Sequence, residues 1–362
     1  MANNVQRLAR LGQSIWLDNI ERKLFASGEL ERLVADGLLG MTSNPTIFEK
    51  AIAASADYDD SVTRLARRGA GGEEICEAIF LEDVGAAADR FRSVYDRSQG
   101  GDGFVSIEVS PRLARDGAAT LAAARRLWQK LARPNVMVKI PATREGLPAI
   151  EAALAEGINI NVTLMFSMRH YESVVEAYLR GLERRLEAGG ALGSITSVAS
   201  FFVSRVDVLV DGKLPTGSPL AGKAAIANSK LVYERYGQLF GGERFARLAA
   251  HGARRQRVLW ASTSTKNPAY PDTIYVDTLI GPDTVNTVPP QTWHAILDHA
   301  RVERTVDAGL DESRRVRDAL AGLGLDLDVL GEQLSDEGVA KFAESYDALL
   351  AAIEGKRRKL AG

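Results

Sequence analysis

The sequence is poor in the residues that build metal cages and covalent staples, with one cysteine and four histidines in 362 residues. A single thiol, Cys76, excludes an internal disulfide and a cysteine-based metal cage, which fits a reducing compartment. His170, His251, His294 and His299 lack metal-ligand spacing with nearby carboxylates. Charge of one sign is also lacking: 45 Lys and Arg against 47 Asp and Glu leave a formal net charge of −2. That balance gives no electrostatic ground for nucleic acid or an anionic membrane as a partner. There is no run of about 18 uncharged apolar residues, and the first residues contain no apolar signal region. Together these absences predict a soluble, cytoplasmic protein. Neither a Walker-type loop nor a serine-histidine-acid order is visible.

What the chain does contain is a series of short apolar runs closed by polar residues. They lie at 14–18, 37–45, 104–109, 136–140, 158–166, 197–203, 257–263 and 274–280, and helix-compatible sequence separates them. Eight such strands predict an α/β fold with parallel pairing and right-handed crossovers. The length suits a (β/α)8 TIM barrel with additional helices. An open doubly wound sheet would be favoured by a Gly-rich fingerprint after the first strand, and none is there. The helical stretch between Pro45 and Gly101 reads as an elaborated crossover, since it has no strands of its own. With no low-complexity tract or flexible linker, residues 1–362 are expected to form a single domain. A helical C-terminal segment from about 289 should pack on it, with Phe342, Tyr346 and Leu349 at helical spacing facing the barrel.

Strand ends are where parallel α/β folds place their chemistry. Lys139, inside the apolar run 136–140, is the most unusual of these residues, because an amine beside apolar walls can lose its proton. A neutral lysine can attack a carbonyl and form a Schiff base. Asp18 and Glu108 close two other strands and can supply the proton transfers such chemistry requires. Asn44 and Asn161 can hold substrate hydroxyls, and Thr163 can position a water. Arg205, after the sixth strand, and Lys266, after the seventh, can grip a terminal phosphate. Each has a bland counterpart: a salt-bridged barrel lysine with Asp18 or Glu108 as counter-ion, amides satisfying backbone groups, solvated surface cations. The recurrence of polar residues at equivalent places on several strands favours a site, because solubility does not require it.

Several of these segments resemble the transaldolase family, in its longer bacterial form. The resemblance runs from about Ser14 to the C-terminus. It rests on Trp16-Leu17-Asp18, Thr42-Ser43-Asn44-Pro45-Thr46-Ile47-Phe48, Val138-Lys139-Ile140-Pro141-Ala142-Thr143 and Gly157 to Ser167. It implies a class I aldolase-type barrel that moves a dihydroxyacetone unit between sugar phosphates, without a metal or organic cofactor. Lys139 matches the Schiff-base lysine, Asp18 the carboxylate acting in carbon–carbon cleavage, and Glu108 the acid/base working through a water held with Thr163. Asn44 and Asn161 match contacts to the dihydroxyacetone unit, and Ser200 with Arg205 matches a Ser-x-x-x-x-Arg pattern whose arginine holds phosphate. The chain departs from its relatives at Phe201, where many have proline, and at Ser204, where many have glycine. It departs again after the seventh strand, where Ala-Ser-Phe-Arg is common and Ala261-Ser262 runs on to Lys266. The function implied is transaldolase, with sugar phosphates as substrates and a monomer or homodimer as the assembly. A fructose 6-phosphate aldolase and a non-catalytic sugar-phosphate-binding protein are the alternatives.

Overall fold

Strands buried on both faces read as near-continuous apolar runs rather than as alternating patterns, and the runs of this sequence fold accordingly. The computed structural model describes residues 2–361. Eight parallel strands close into a barrel in chain order: β1 (Gln13–Asp18), β2 (Gly40–Thr42), β3 (Phe104–Glu108), β4 (Val136–Pro141), β5 (Ile160–Met165), β6 (Ser197–Phe202), β7 (Arg257–Ala261) and β8 (Thr284–Val288). Closure comes from β1 pairing with β8, with Gln13 opposite Thr284 and Leu17 opposite Val288. The crossover after β2 is helical throughout, through Pro45–Ala54, Asp59–Ala66 and Gly72–Arg97.

The expected eighth strand, at 274–280, is displaced. Ile274–Asp277 forms one helical turn, and the strand follows at Thr284–Val288. The apolar pattern misled because β8 spends its polar side chains inside the fold. The Gln13 amide donates to Thr284 Oγ1, Thr263 Oγ1 donates to Asn286 Oδ1, and Thr287 shares a hydrogen bond with Thr42. Flanked by Gly281-Pro282 and Pro289-Pro290, such a segment has the composition of a loop. Two helices, Ser204–Asp211 and Ala224–Gly241, lie in the crossover between β6 and β7.

At the N-terminal end of the barrel, Asp102 accepts hydrogen bonds from Ser14, Trp16 and Arg257. The polar side chains of Ser14, Trp16 and Arg257 thereby find a shared partner on the face that serves stability. The opposite end is crossed by the helix Leu327–Ala361. Phe342, Tyr346, Leu349 and Ile353 are buried along one side of it, as the helical spacing requires. Its close approach depends on two glycines: a Cβ at Gly331 would stand 2.6 Å from the Cβ of Ser167, and one at Gly338 would stand 2.9 Å from Leu164. Leu164 itself takes a left-handed φ of 63°, where the β5–β6 register shifts between Val162 and Met165. Among the described residues no helix is long and apolar enough to cross a membrane.

Candidate active site

Parallel register brings the polar strand ends together. Glu108 lies opposite Lys139 across β3 and β4, and Lys139 lies opposite Asn161 across β4 and β5. Asp18 lies opposite Thr42 across β1 and β2. These ends open on a cavity of ≈ 1330 Å³ lined by Asp18, Asn44, Lys139, Thr163, Ser200, Arg205 and Lys266 among others. Glu108 lines a smaller cavity of ≈ 40 Å³ behind it.

Lys139 is 5% exposed. Its Nζ donates to the Ser43 carbonyl at 3.3 Å and stands 3.4 Å from Glu108 Oε2. Among the described residues neither oxygen of the buried Glu108 carboxylate has a hydrogen-bond partner, and the same is true of Thr163 Oγ1. Burial pushes the Glu108 carboxyl up to about 7, with the Lys139 ammonium resisting the shift. Burial also raises Asp18, against the attraction of Lys139 and the hydrogen bond of 2.8 Å that it accepts from Thr42 Oγ1. Two carboxyl groups with elevated affinity for protons therefore flank one buried amine. Such a set can shuttle protons near neutral pH, since a group titrating near the working pH both takes and gives one readily.

The amide residues are placed differently from one another. Asn44 caps the helix Pro45–Ala54, accepting from the Ile47 N–H at 3.0 Å, and keeps its amide nitrogen for the cavity it lines. Asn161 is fully buried, with Nδ2 donating to Ser106 Oγ at 3.0 Å and Oδ1 accepting from Ser200 Oγ at 2.7 Å. Ser200 thus fixes the rotation of the Asn161 amide. Of the four carboxamide hydrogen-bonding positions, Asn161 keeps one N–H and one lone pair uncommitted.

Arg205 sits in the first turn of the helix Ser204–Asp211, half-buried, with its guanidinium 5.3 Å from the ring centre of Phe202. Burial lowers its pKa, and no carboxylate among the described residues lies within ion-pair distance of it. Lys266 stands at the rim, donating to Ser264 Oγ at 2.5 Å. Burial of its inner side, then repulsion from Arg205 and Lys341, lowers its pKa as well. Cations held close, neither paired with a carboxylate at ion-pair distance among the described residues, attract an anion, and a phosphate is the chemical group that suits them. The Ser204 departure is absorbed locally: its hydroxyl shares a 3.0 Å hydrogen bond with Ser262, whose φ is 56°.

Sequence reasoning missed Thr42, Thr287, Lys341 and Phe342 as site residues, all of which line the cavity. Thr42 was within reach, as the last residue of a short strand equivalent to Asp18 of β1. Thr287 was hidden by the displaced eighth strand. Among the described residues no group of three or more His, Cys, Asp or Glu side chains is placed to hold a metal ion.

The sequence matches a family model described as Transaldolase/Fructose-6-phosphate aldolase over residues 15–353. Among curated proteins, it is 49% identical over 356 residues to a transaldolase of Saccharopolyspora erythraea, covering 97% of each chain. It is 48% identical over 360 residues to a transaldolase of Frankia alni, covering 98% of this chain and 97% of that one. With a protein of a Nostoc species called transaldolase 2 the identity is 44% over 375 residues, covering 99% and 98%.

Proposed function

The chain belongs to the transaldolase/fructose-6-phosphate aldolase family, and from that premise we propose that it is a transaldolase. It carries a dihydroxyacetone unit from sedoheptulose 7-phosphate to glyceraldehyde 3-phosphate, giving erythrose 4-phosphate and fructose 6-phosphate in the non-oxidative pentose phosphate pathway. The observation that carries this reading is a buried Lys139 amine between two carboxyl groups whose affinity for protons is raised.

Lys139 adds to the ketone carbonyl and forms a carbinolamine. Glu108, through a water shared with Thr163, gives a proton to the departing hydroxyl, and loss of water leaves an iminium ion. Among the described residues both groups are buried without hydrogen-bond partners, a condition that a bridging water relieves. Asp18 then removes the proton from the C4 hydroxyl. The C3–C4 bond breaks, its electron pair passes into the iminium, and an aldose phosphate leaves behind an enamine on Lys139. An incoming aldehyde accepts the enamine carbon, Asp18 returns the proton to the new hydroxyl, and water adds back to the regenerated iminium so that the carbinolamine collapses to free Lys139 and fructose 6-phosphate. Asn44 and Asn161 orient the dihydroxyacetone hydroxyls, and Ser200 positions Asn161. Arg205 holds the phosphate, with Lys266 beside it at the rim.

In this reading the protein works in the cytoplasm on sugar phosphates, as a monomer or homodimer, with no nucleic acid partner. Borohydride added with fructose 6-phosphate is expected to trap a covalent adduct on the Lys139 peptide and abolish activity, and Lys139→Met should give neither adduct nor turnover. An adduct mapped to another residue of active protein defeats the assignment. Product that forms equally well without an aldehyde acceptor favours a fructose 6-phosphate aldolase instead.

A further inference from the structure

The helix Leu327–Ala361 is tied down on both sides of the barrel mouth. Toward its start, Asp328 accepts from the Arg169 N–H at 3.1 Å, and Glu332 lies 3.2 Å from His170. Toward its end, Ser345 meets Thr46 at 2.7 Å, Asp347 accepts from Arg112 at 2.7 Å, and Lys356 donates to the Ser55 carbonyl at 2.9 Å. Between these ties the helix presents Phe342. Its ring centre is 5.8 Å from Lys139 Nζ and 5.9 Å from Arg205 Cζ, and the residue is 5% exposed. One buried aromatic ring therefore touches the surroundings of both the amine and the guanidinium.

We infer that Phe342 screens the enamine on Lys139 from water and so sets the balance between transfer and release of dihydroxyacetone. This rests on the transaldolase reading. The enamine has two fates. In transfer, its carbon forms a bond to the aldehyde. In release, a proton reaches that carbon, water adds to the resulting imine carbon, and the carbinolamine collapses to free amine and dihydroxyacetone. The net release consumes one water, which solvent supplies. A phenyl ring neither donates to nor accepts strongly from water, so the space it fills near Nζ can neither hold nor orient an attacking molecule. The ring face also favours a cation at this range, which supports the iminium without hydrating it. Phe342 is a screening residue, and its signature is a ratio of products rather than a loss of rate.

The test compares the parent, Phe342→Ala, Phe342→Leu and Val329→Ala. Val329 lies on the same helix at 63% exposure and serves as control. Two rates are measured: dihydroxyacetone release from fructose 6-phosphate alone, and transfer from fructose 6-phosphate to erythrose 4-phosphate. Phe342→Ala is expected to raise release relative to transfer about tenfold, a change of ~1.4 kcal/mol between competing barriers. Phe342→Leu, which keeps apolar bulk and folds if the alanine variant does not, should raise it about threefold, and Val329→Ala should leave it unchanged. An unaltered ratio in either folded Phe342 variant, or an equal rise in Val329→Ala, overturns the inference while leaving the transaldolase reading intact. A parent that releases dihydroxyacetone and transfers none defeats both.

Discussion

Glu108 holds its proton to about pH 7 because its carboxylate is buried, and among the described residues the Lys139 ammonium 3.4 Å away is what opposes that shift. In the unfolded chain a glutamate titrates near 4.5. Between those two values the folded protein binds more protons than the unfolded chain, so this group's contribution to stability falls as pH rises through the window. Glu108→Gln imitates the protonated form and removes that dependence. Urea unfolding of the two proteins side by side should show the variant gaining roughly 2–3 kcal/mol relative to the parent between pH 4.5 and 7. A constant difference across that range would contradict the assigned proton affinity. At this scale much of the site was legible. Lys139, Asp18 and Glu108 stand out because charge at the end of an apolar strand is rare unless it is used. Thr287 does not, since threonine is ordinary in strands, and it is its hydrogen bond to Thr42, which itself donates to Asp18, that ties it to the site. Phe342 belonged to a readable helical stripe. Its place over Lys139 is a tertiary fact that periodicity does not contain.

Elements were read from apolar periodicity, and that signal fails where a strand turns polar side chains into the fold, as β8 does. The C-terminal helix was readable as a helix, whereas the reason for its exact seat lies in Gly331 and Gly338. Alanine normally improves a helix over glycine by about 1 kcal/mol. At Gly331 the added methyl would sit 2.6 Å from Ser167 Cβ, which is held in place because its hydroxyl caps the next helix through the His170 N–H. Overpacking against an atom that cannot yield costs about 1–3 kcal/mol, so Gly331→Ala should lose about 1–2 kcal/mol despite the better propensity. Gly355 on the same helix has nothing within 4 Å of the same methyl. Gly355→Ala should therefore gain up to ~1 kcal/mol. Denaturant midpoints for the two variants check the opposite signs directly.

For the molecule as a whole, we propose that residues 1–362 are one domain. The barrel, its crossover helices and the C-terminal helix share one buried cluster running from Val5 to Ile353. Calorimetry is then expected to give a single transition, with calorimetric and van't Hoff enthalpies in agreement; two resolved transitions would divide the chain. The barrel topology was legible because eight apolar runs alternate with helical sequence, and the closing pair was not, because nothing local in Gln13 announces Thr284. Those two residues, hydrogen-bonded across the seam, are 271 positions apart. The order of synthesis follows from this separation. On a growing chain Lys139, Asp18 and Glu108 are made long before β8 exists to close the ring, and Phe342 is made later still. Lys139 is thus made well before the Phe342 ring that lies over it, so in the order of synthesis the cover comes last.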